Sequence, residues 1–295
     1  MEIELKNVPT LEKQYYLQHL IVPRPIALAS TKDKMGRVNL SPFSFFNLFS
    51  SEPPVVIFSP ARRLRNNTTK HTLENVRQTG EVVINLVDYD MVQQTSLASC
   101  EYPEFTDEFV KAGFTKVPAT LVSPPLVGES PASLECRVLE IKSLGERGGA
   151  GQLVICEVLK IHVKDCLLDR NGRIDQRKFR AVARLGGNWY SRVSPSTLFE
   201  VPKPNTKLGM GIDQLPASVR SSEVLSGNDL GILANYEEIP VPDPTEQAAA
   251  LAWCKHRRRQ SPEKEPFFLH NVAKYLLKFH KPDWAWQVLL LEKEA

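Results

Sequence analysis

PRPIALAST (Pro23–Thr31), NLSPFSFFN (Asn39–Asn47), PPVVIFSP (Pro53–Pro60) and NNTTKHTLEN (Asn66–Asn75) follow one another within a single stretch of the chain. Two of these segments are apolar runs of strand length that end in hydroxyl residues, which predicts a β-rich wall. The turn after them carries amides, hydroxyls and Lys70. It becomes helical from Thr72, with Leu73 and Val76 turned inward and Gly80 at the C-terminal cap. A helix start presents backbone N–H groups that attract anions. The combination predicts a wall for a flat aromatic ligand with a phosphate tail.

Outward from that stretch, TLEKQYYLQHL (Thr10–Leu20) reads as a short helix with Thr10 as N-cap. Pro25–Ser30, Arg37–Leu40, Pro54–Ser59 and Glu81–Val87 read as strands. Asp88–Ala98 and Glu104–Ala112 read as surface helices, the second closed by Gly113. Leu134–Leu144 and Leu153–Lys164 form a hairpin across the ERGGAG turn (Glu146–Gly151). In its second half Leu159, Ile161 and Val163 alternate with Lys160, His162 and Lys164, the period of a half-exposed strand. Strands with helices inserted between them suggest a barrel with helical elaborations. After Tyr190 the chain becomes proline-rich and polar. Helices are then expected through Ala248–Trp253, Pro266–Phe279 and Pro282–Leu291, the last two starting at proline.

A chain of 295 residues suits one large domain or one domain with an appendage. Its net charge of +3 gives no argument for nucleic acid, and the basic run Lys255–Arg259 reads as a solvated helix end. Five cysteines with no CxxC pair argue for reduced thiols rather than a disulfide framework or a zinc site. The six histidines lack metal-ligand spacing, so no metal site is expected. ERGGAG lacks the strand–GxGxxG–helix context of a dinucleotide fold. No apolar run reaches the length of a membrane span and no signal core is evident, so a cytoplasmic protein is expected. Trp284 and Trp286, with Phe267, Phe268 and Phe279, are read as anchors of the C-terminal segment.

The four opening segments, with GESPASLECRV (Gly128–Val138) and RLGGNWYSR (Arg184–Arg192) in the same order, resemble the flavin-reductase-like family over about residues 10–200. The resemblance implies a mainly β, α+β fold: an FMN-binding split β-barrel across 1–200, with a C-terminal arm and helical extension across 201–295. It also implies a homodimer with FMN near the subunit interface. The family usually has an acid between the lysine and threonine of its phosphate turn. Here that position is His71, so an acid's role in orienting Lys70 is lost.

On this resemblance Lys70, Thr69 and Thr72 hold the FMN phosphate, with Arg65 and Ser59 beside it. Ser30, Thr31, Ser41, Ser44 and Asn47 serve the ribityl chain and the edge of the ring, and Pro42 and Phe43 form an apolar wall. The resemblance also implies that Arg184 and Tyr190 lie near the flavin, from the same or the other subunit, and that Glu129 and Ser130 touch the neighbouring subunit's site. The implied activity is that of an NAD(P)H-dependent flavin reductase passing electrons to a small-molecule acceptor. An FMN carrier without reductase activity and a flavin-dependent oxygenase are the alternatives. No residue is singled out as catalytic acid or base.

Overall fold

A computed structural model of the chain describes residues 1–202, 208–258 and 265–292. It divides into two compact units, Met1–Phe199 and Glu200–Ala295. The cysteine at 254, the side chains of Lys255–Arg258 and of Phe267, and the residue Arg259 lie outside what is described.

The first unit is built on a seven-stranded antiparallel sheet. Its strands are β1 (Ala27–Lys32), β2 (Val38–Phe43), β3 (Phe46–Ser51), β4 (Pro54–Phe58), β5 (Glu81–Leu86), β8 (Ala132–Ser143) and β9 (Gln152–Val163). Two short strands, β6 (Lys116–Val117) and β7 (Leu126–Val127), pair separately. The sheet order is β2-β1-β5-β8-β9-β4-β3. β2 and β3 therefore lie at opposite ends of the order, yet only Ser44 and Phe45 join them. Two residues span about 10 Å at most, so the sheet must curl until its two edges meet. The hydrogen bond from Ser59 N to Phe45 O, 2.8 Å, fastens that corner. The result is the split β-barrel, in a mixed α+β unit.

Alternation along the strands fills the barrel. Ala27 and Ala29, Val82 and Ile84, Val154 and Cys156, and Val56 and Phe58 share one core with Leu73 and Val76 of α2 (His71–Thr79). Leu28 on the opposite face of β1 joins a second cluster with Phe109 and Ala112 of α4 (Glu108–Ala112) and Ala98 beside α3 (Val92–Leu97). β1 is buried on both faces for this reason. α2 ends at Gly80 in the left-handed region (φ 69°), which a residue with a side chain rarely adopts.

Several boundaries differ from the sequence reading. Helix α1 does span Thr10–Leu20, but Pro9 occupies the N-cap and gives no side-chain bond. β3 was not expected, because FNLFSS (Phe46–Ser51) shows no clean alternation. The segment from Asp88 opens as a 3-10 turn (Tyr89–Met91) before α3, and α4 is shorter than expected. Two further strands, β10 (Val182–Arg184) and β11 (Tyr190–Arg192), form a separate ribbon. In β9, Leu159 is the extra residue at a bulge and Ile161 is 61% exposed. The apolar side of that half-strand is thus uncovered among the described residues.

The second unit contains α5 (Ala217–Arg220), α6 (Gly227–Leu233), α7 (Pro244–Arg258), α8 (Glu265–Lys278) and α9 (Pro282–Leu289). Trp286 is fully buried at its centre, with Phe268, Leu233 and Ala273 around it. Its indole N–H donates to Leu233 O at 3.3 Å, satisfying the polar end of a large apolar side chain. Phe279 is not an anchor: it is 53% exposed.

Candidate functional site

Thr10, Lys13, Gln14, Leu17 and Gln18 recur at the spacing that puts residues on one face of a helix. That face of α1 forms one side of a cleft of about 530 Å³. The loop Ala61–Arg65, Phe45 at the β2–β3 corner, and Lys70 at the start of α2 form the other. Five cations and one carboxylate, Glu101, line it, so its potential is positive. Leu17, Phe45 and Ala61 add an apolar patch. A second, small cavity lies beyond Lys70, lined by Ser41, Thr72 and Cys100 among others.

The loop's arginines are held by the loop itself. Arg62 donates to Asn67 Oδ1 at 2.8 Å and to Asn67 O at 2.5 Å. Arg63 donates to Thr68 Oγ1 at 3.0 Å and to Thr69 O, and lies 3.6 Å from Glu101. Arg65 pairs with Glu101 at 2.6 Å but is 77% exposed, a geometry in which ion pairs contribute little. The ERGGAG turn supports the loop from behind. Gly149 N donates to Arg62 O and Arg62 N to Ala150 O, both at 2.9 Å. At Gly148 a Cβ would stand 3.1 Å from the backbone of Arg63 and Leu64, so a side chain there would crowd the docked turn.

Lys70 differs from these arginines. Its side chain is partly buried, and its ammonium has no hydrogen-bond or ion-pair partner among the described residues. Burial, and secondarily the Arg63 guanidinium, push its pKa below the ordinary lysine value, while Glu101 opposes them. Lys70 is also the N-cap of α2 and provides no side-chain cap. An unpaired ammonium beside an uncapped helix start is a donor set suited to a phosphate.

The expected site residues separate into groups. Lys70 and Arg65 line the cleft, and Ser41 and Thr72 border the small cavity. Thr69 adjoins Lys70 and gives its carbonyl to Arg63. Ser44 and the half-buried Pro42 lie at the β2–β3 corner, and Asn47 is exposed on β3, its Oδ1 accepting from Leu48 N at 2.8 Å.

Thr72 and the remaining side chains are committed to partners within the chain. Ser30 is fully buried and its hydroxyl donates to Pro125 O. Thr31 accepts from Asn75 Nδ2 at 3.0 Å. Thr72 donates to Asn39 Oδ1 at 2.7 Å, and Asn39 Nδ2 donates to Glu108 at 2.8 Å, tying α2, β2 and α4 together. Ser59 accepts from Gln152 N at 3.0 Å. Phe43 packs in the barrel with its ring 5.4 Å from that of Phe58, so Phe45, not Phe43, offers an aromatic face to the cleft. Glu129 accepts from Thr115, and Ser130 lies 2.8 Å from Leu86 O. These hydroxyl and carboxyl groups hold the frame.

Arg184 and Tyr190 line a different cleft, which shares no lining residue with that of Lys70 within one chain. Gly186, between them in sequence, packs against α1: a Cβ there would overlap the His19 ring. Sequence reasoning missed Arg62, Arg63, Phe45 and the α1 face. The helical spacing of Thr10–Gln18 was the available signal, but the face mixes polar and apolar residues and resembles an ordinary solvated surface.

Among the described residues no group of His, Cys, Asp and Glu is placed to hold a metal ion, and no helix is long and apolar enough to cross a membrane. The four described cysteines are free thiols, Cys136 and Cys156 in the barrel core.

Residues 19–182 match the model of the flavin reductase like domain. An uncharacterised protein of Halalkalibacterium halodurans is 35% identical over 69% of this chain and 97% of its own length. An uncharacterised protein of Aquifex aeolicus is 37% identical over 58% of this chain and 85% of its own. Among solved structures, nitrilotriacetate monooxygenase component B from Bacillus cereus superimposes with a TM-score of 0.63 at 27% identity, over 68% of this chain and 98% of that one. A protein from Shewanella frigidimarina assigned as a flavin reductase with a split-barrel domain gives 0.59 at 25% identity, over 69% and 99%. The barrel unit, its phosphate-suited cleft and these matches agree: the chain belongs to the flavin reductase-like family.

Proposed function

We propose that this protein is an FMN-binding oxidoreductase of the flavin reductase type, using NAD(P)H and a small-molecule electron acceptor. The observation that carries the reading is Lys70, an unpaired, partly buried ammonium at the uncapped start of α2 in a cationic cleft of about 530 Å³. That volume lies within the range of small-molecule sites. Lys70 and the first turn of α2 would hold the phosphate, with Arg65 adding charge at the rim. Leu17, Phe45 and Ala61 would give the flat ring an apolar surface, and the Ser41–Asn47 corner would supply backbone and amide partners. Bound flavin supplies the redox chemistry, accepting hydride and passing electrons on; the protein contributes position and electrostatics.

The uncovered apolar side of β9, with Leu159 and Ile161 exposed, supports a homodimer. Sedimentation of the purified protein as a monomer at micromolar concentration would remove that part of the reading. Rapid mixing of the FMN-loaded protein with NADH and with NADPH tests the activity. Bleaching of the oxidised-flavin absorbance at a catalytically useful rate is expected. A flavin that stays oxidised leaves an FMN carrier.

A further inference from the structure

In the ribbon of β10 and β11, Arg184 pairs with Tyr190 and Val182 with Arg192. Directly opposed residues share a face, and so do residues two apart on one strand. Val182, Arg184, Tyr190 and Arg192 therefore all point to one side, and that side faces a cleft of about 380 Å³. The opposite wall is Tyr89 with Gln93 and Ser96 of α3.

The cations of this cleft are not neutralised evenly. Arg180, behind the lining and 5.3 Å over the Tyr89 ring, pairs with Asp90 at 2.9 Å. Arg184 lies 4.6 Å over the Tyr190 ring and makes a long 3.4 Å contact with Trp189 O. Arg192 lies 4.6 Å over the Tyr89 ring. Neither Arg184 nor Arg192 has a carboxylate partner among the described residues. Two guanidiniums at diagonal positions on one face, each backed by a tyrosine ring, are suited to grip an oxyanion through several N–H donors. The tyrosines leave aromatic surface beside that anion, and the volume is at the small end of ligand sites.

We propose that this cleft binds a small, flat organic oxyanion, a carboxylate or phosphate on an aromatic ring, separately from the phosphate held at Lys70. Arg184 and Arg192 take the anion, and Tyr89 and Tyr190 flank the ring. The proposal goes beyond the flavin reading and does not depend on it.

The test titrates the FMN-loaded protein with benzoate, phenyl phosphate and neutral benzamide, read by calorimetry, in the wild type and in Arg184→Gln and Arg192→Gln. Both substitutions keep the ribbon's backbone pairing, and circular dichroism checks the fold. Saturable binding of either anion, weakened about tenfold or more in each variant, is expected, with benzamide not binding. The tighter of the two anions assigns carboxylate or phosphate. No saturable binding, equal binding of benzamide, or unchanged affinity in both variants overturns the proposal. So does loss of FMN together with the anion from either Arg184→Gln or Arg192→Gln, because the cleft would then belong to the flavin site.

Discussion

Lys70 and Arg63 are neighbouring cations in different circumstances. Arg63 is held by Thr68, Thr69 and Glu101, while Lys70 has no hydrogen-bond or ion-pair partner among the described residues. Burial and the adjacent guanidinium lower the Lys70 pKa. An arriving phosphate reverses that balance by favouring the charged form. Lys70→Ala should therefore weaken FMN binding by about 1.5–3 kcal/mol, the range for a hydrogen bond to a charged group, or roughly tenfold to a hundredfold in Kd. Fluorescence titration with FMN measures this, and a variant that retains FMN as tightly as the wild type contradicts the phosphate assignment. The same linkage predicts that FMN binding at alkaline pH takes up protons, seen as a buffer-dependent heat in calorimetry.

Glu135 supports the frame rather than the site. It is fully buried and accepts from Thr120 N and Oγ1, Leu121 N and Val122 N, and its Oε1 lies 2.5 Å from His162 Nε2. Burial alone would raise its pKa, but the bonds from His162, Leu121 and Thr120 outweigh it and bring the value to about 2. A folded-state value below the unfolded one gives stability that is complete above about pH 4.5. That stability is lost as pH falls towards 2. Glu135→Gln places an N–H donor among donors and should cost about 2–4 kcal/mol at neutral pH. It should also flatten the acid limb of stability. Urea unfolding from pH 7 to pH 3 checks both; an acid limb parallel to that of the wild type would show that Glu135 does not carry it.

The barrel was legible where alternation is regular. Val82 and Ile84, and Val154 and Cys156, mark their inward faces in the sequence itself. β9 was legible as a strand but not in the facing of its second half, where the bulge at Leu159 interrupts the alternation; β3, whose polar and apolar residues are interleaved, was not legible at all. Lys70 stood out because a lysine at a helix start has a chemical reason to be there. Ser30, Thr31, Ser59 and Thr72 carry hydroxyls in the same stretch, and nothing local distinguishes a hydroxyl aimed at a ligand from one donated to Pro125 O or Asn39 Oδ1. That distinction depends on partners distant in sequence.

Gly186 links the RLGG turn to the wall of the Lys70 cleft. A Cβ at this position would overlap the His19 ring on α1, and the residue has no positive φ that would itself exclude alanine. Gly186→Ala should therefore act through the helix, moving the face that carries Leu17 and Gln18. The expected result is a lower melting temperature and weaker FMN binding. His19→Ala combined with Gly186→Ala should recover most of both, since the overlap is with that ring alone among the three nearest atoms. If the double variant is as impaired as the single one, backbone strain is responsible and not the helix contact.

Trp286 is the corresponding test for the second unit. It is fully buried, its indole N–H reaches Leu233 O, and Tyr236 meets it edge-on at 6.3 Å. Trp286→Ala removes the largest apolar side chain of that core and also leaves the Leu233 carbonyl without its donor. Large-to-small changes of this kind cost about 3–5 kcal/mol, comparable with the whole stability of a small helical unit. Glu200–Ala295 is therefore expected to become protease-sensitive in this variant. The first unit has its own closed barrel core and should keep its protection and its FMN. Limited proteolysis followed by mass spectrometry reads the two units separately. Loss of protection throughout Met1–Phe199 would mean that the barrel depends on the helical unit for its stability.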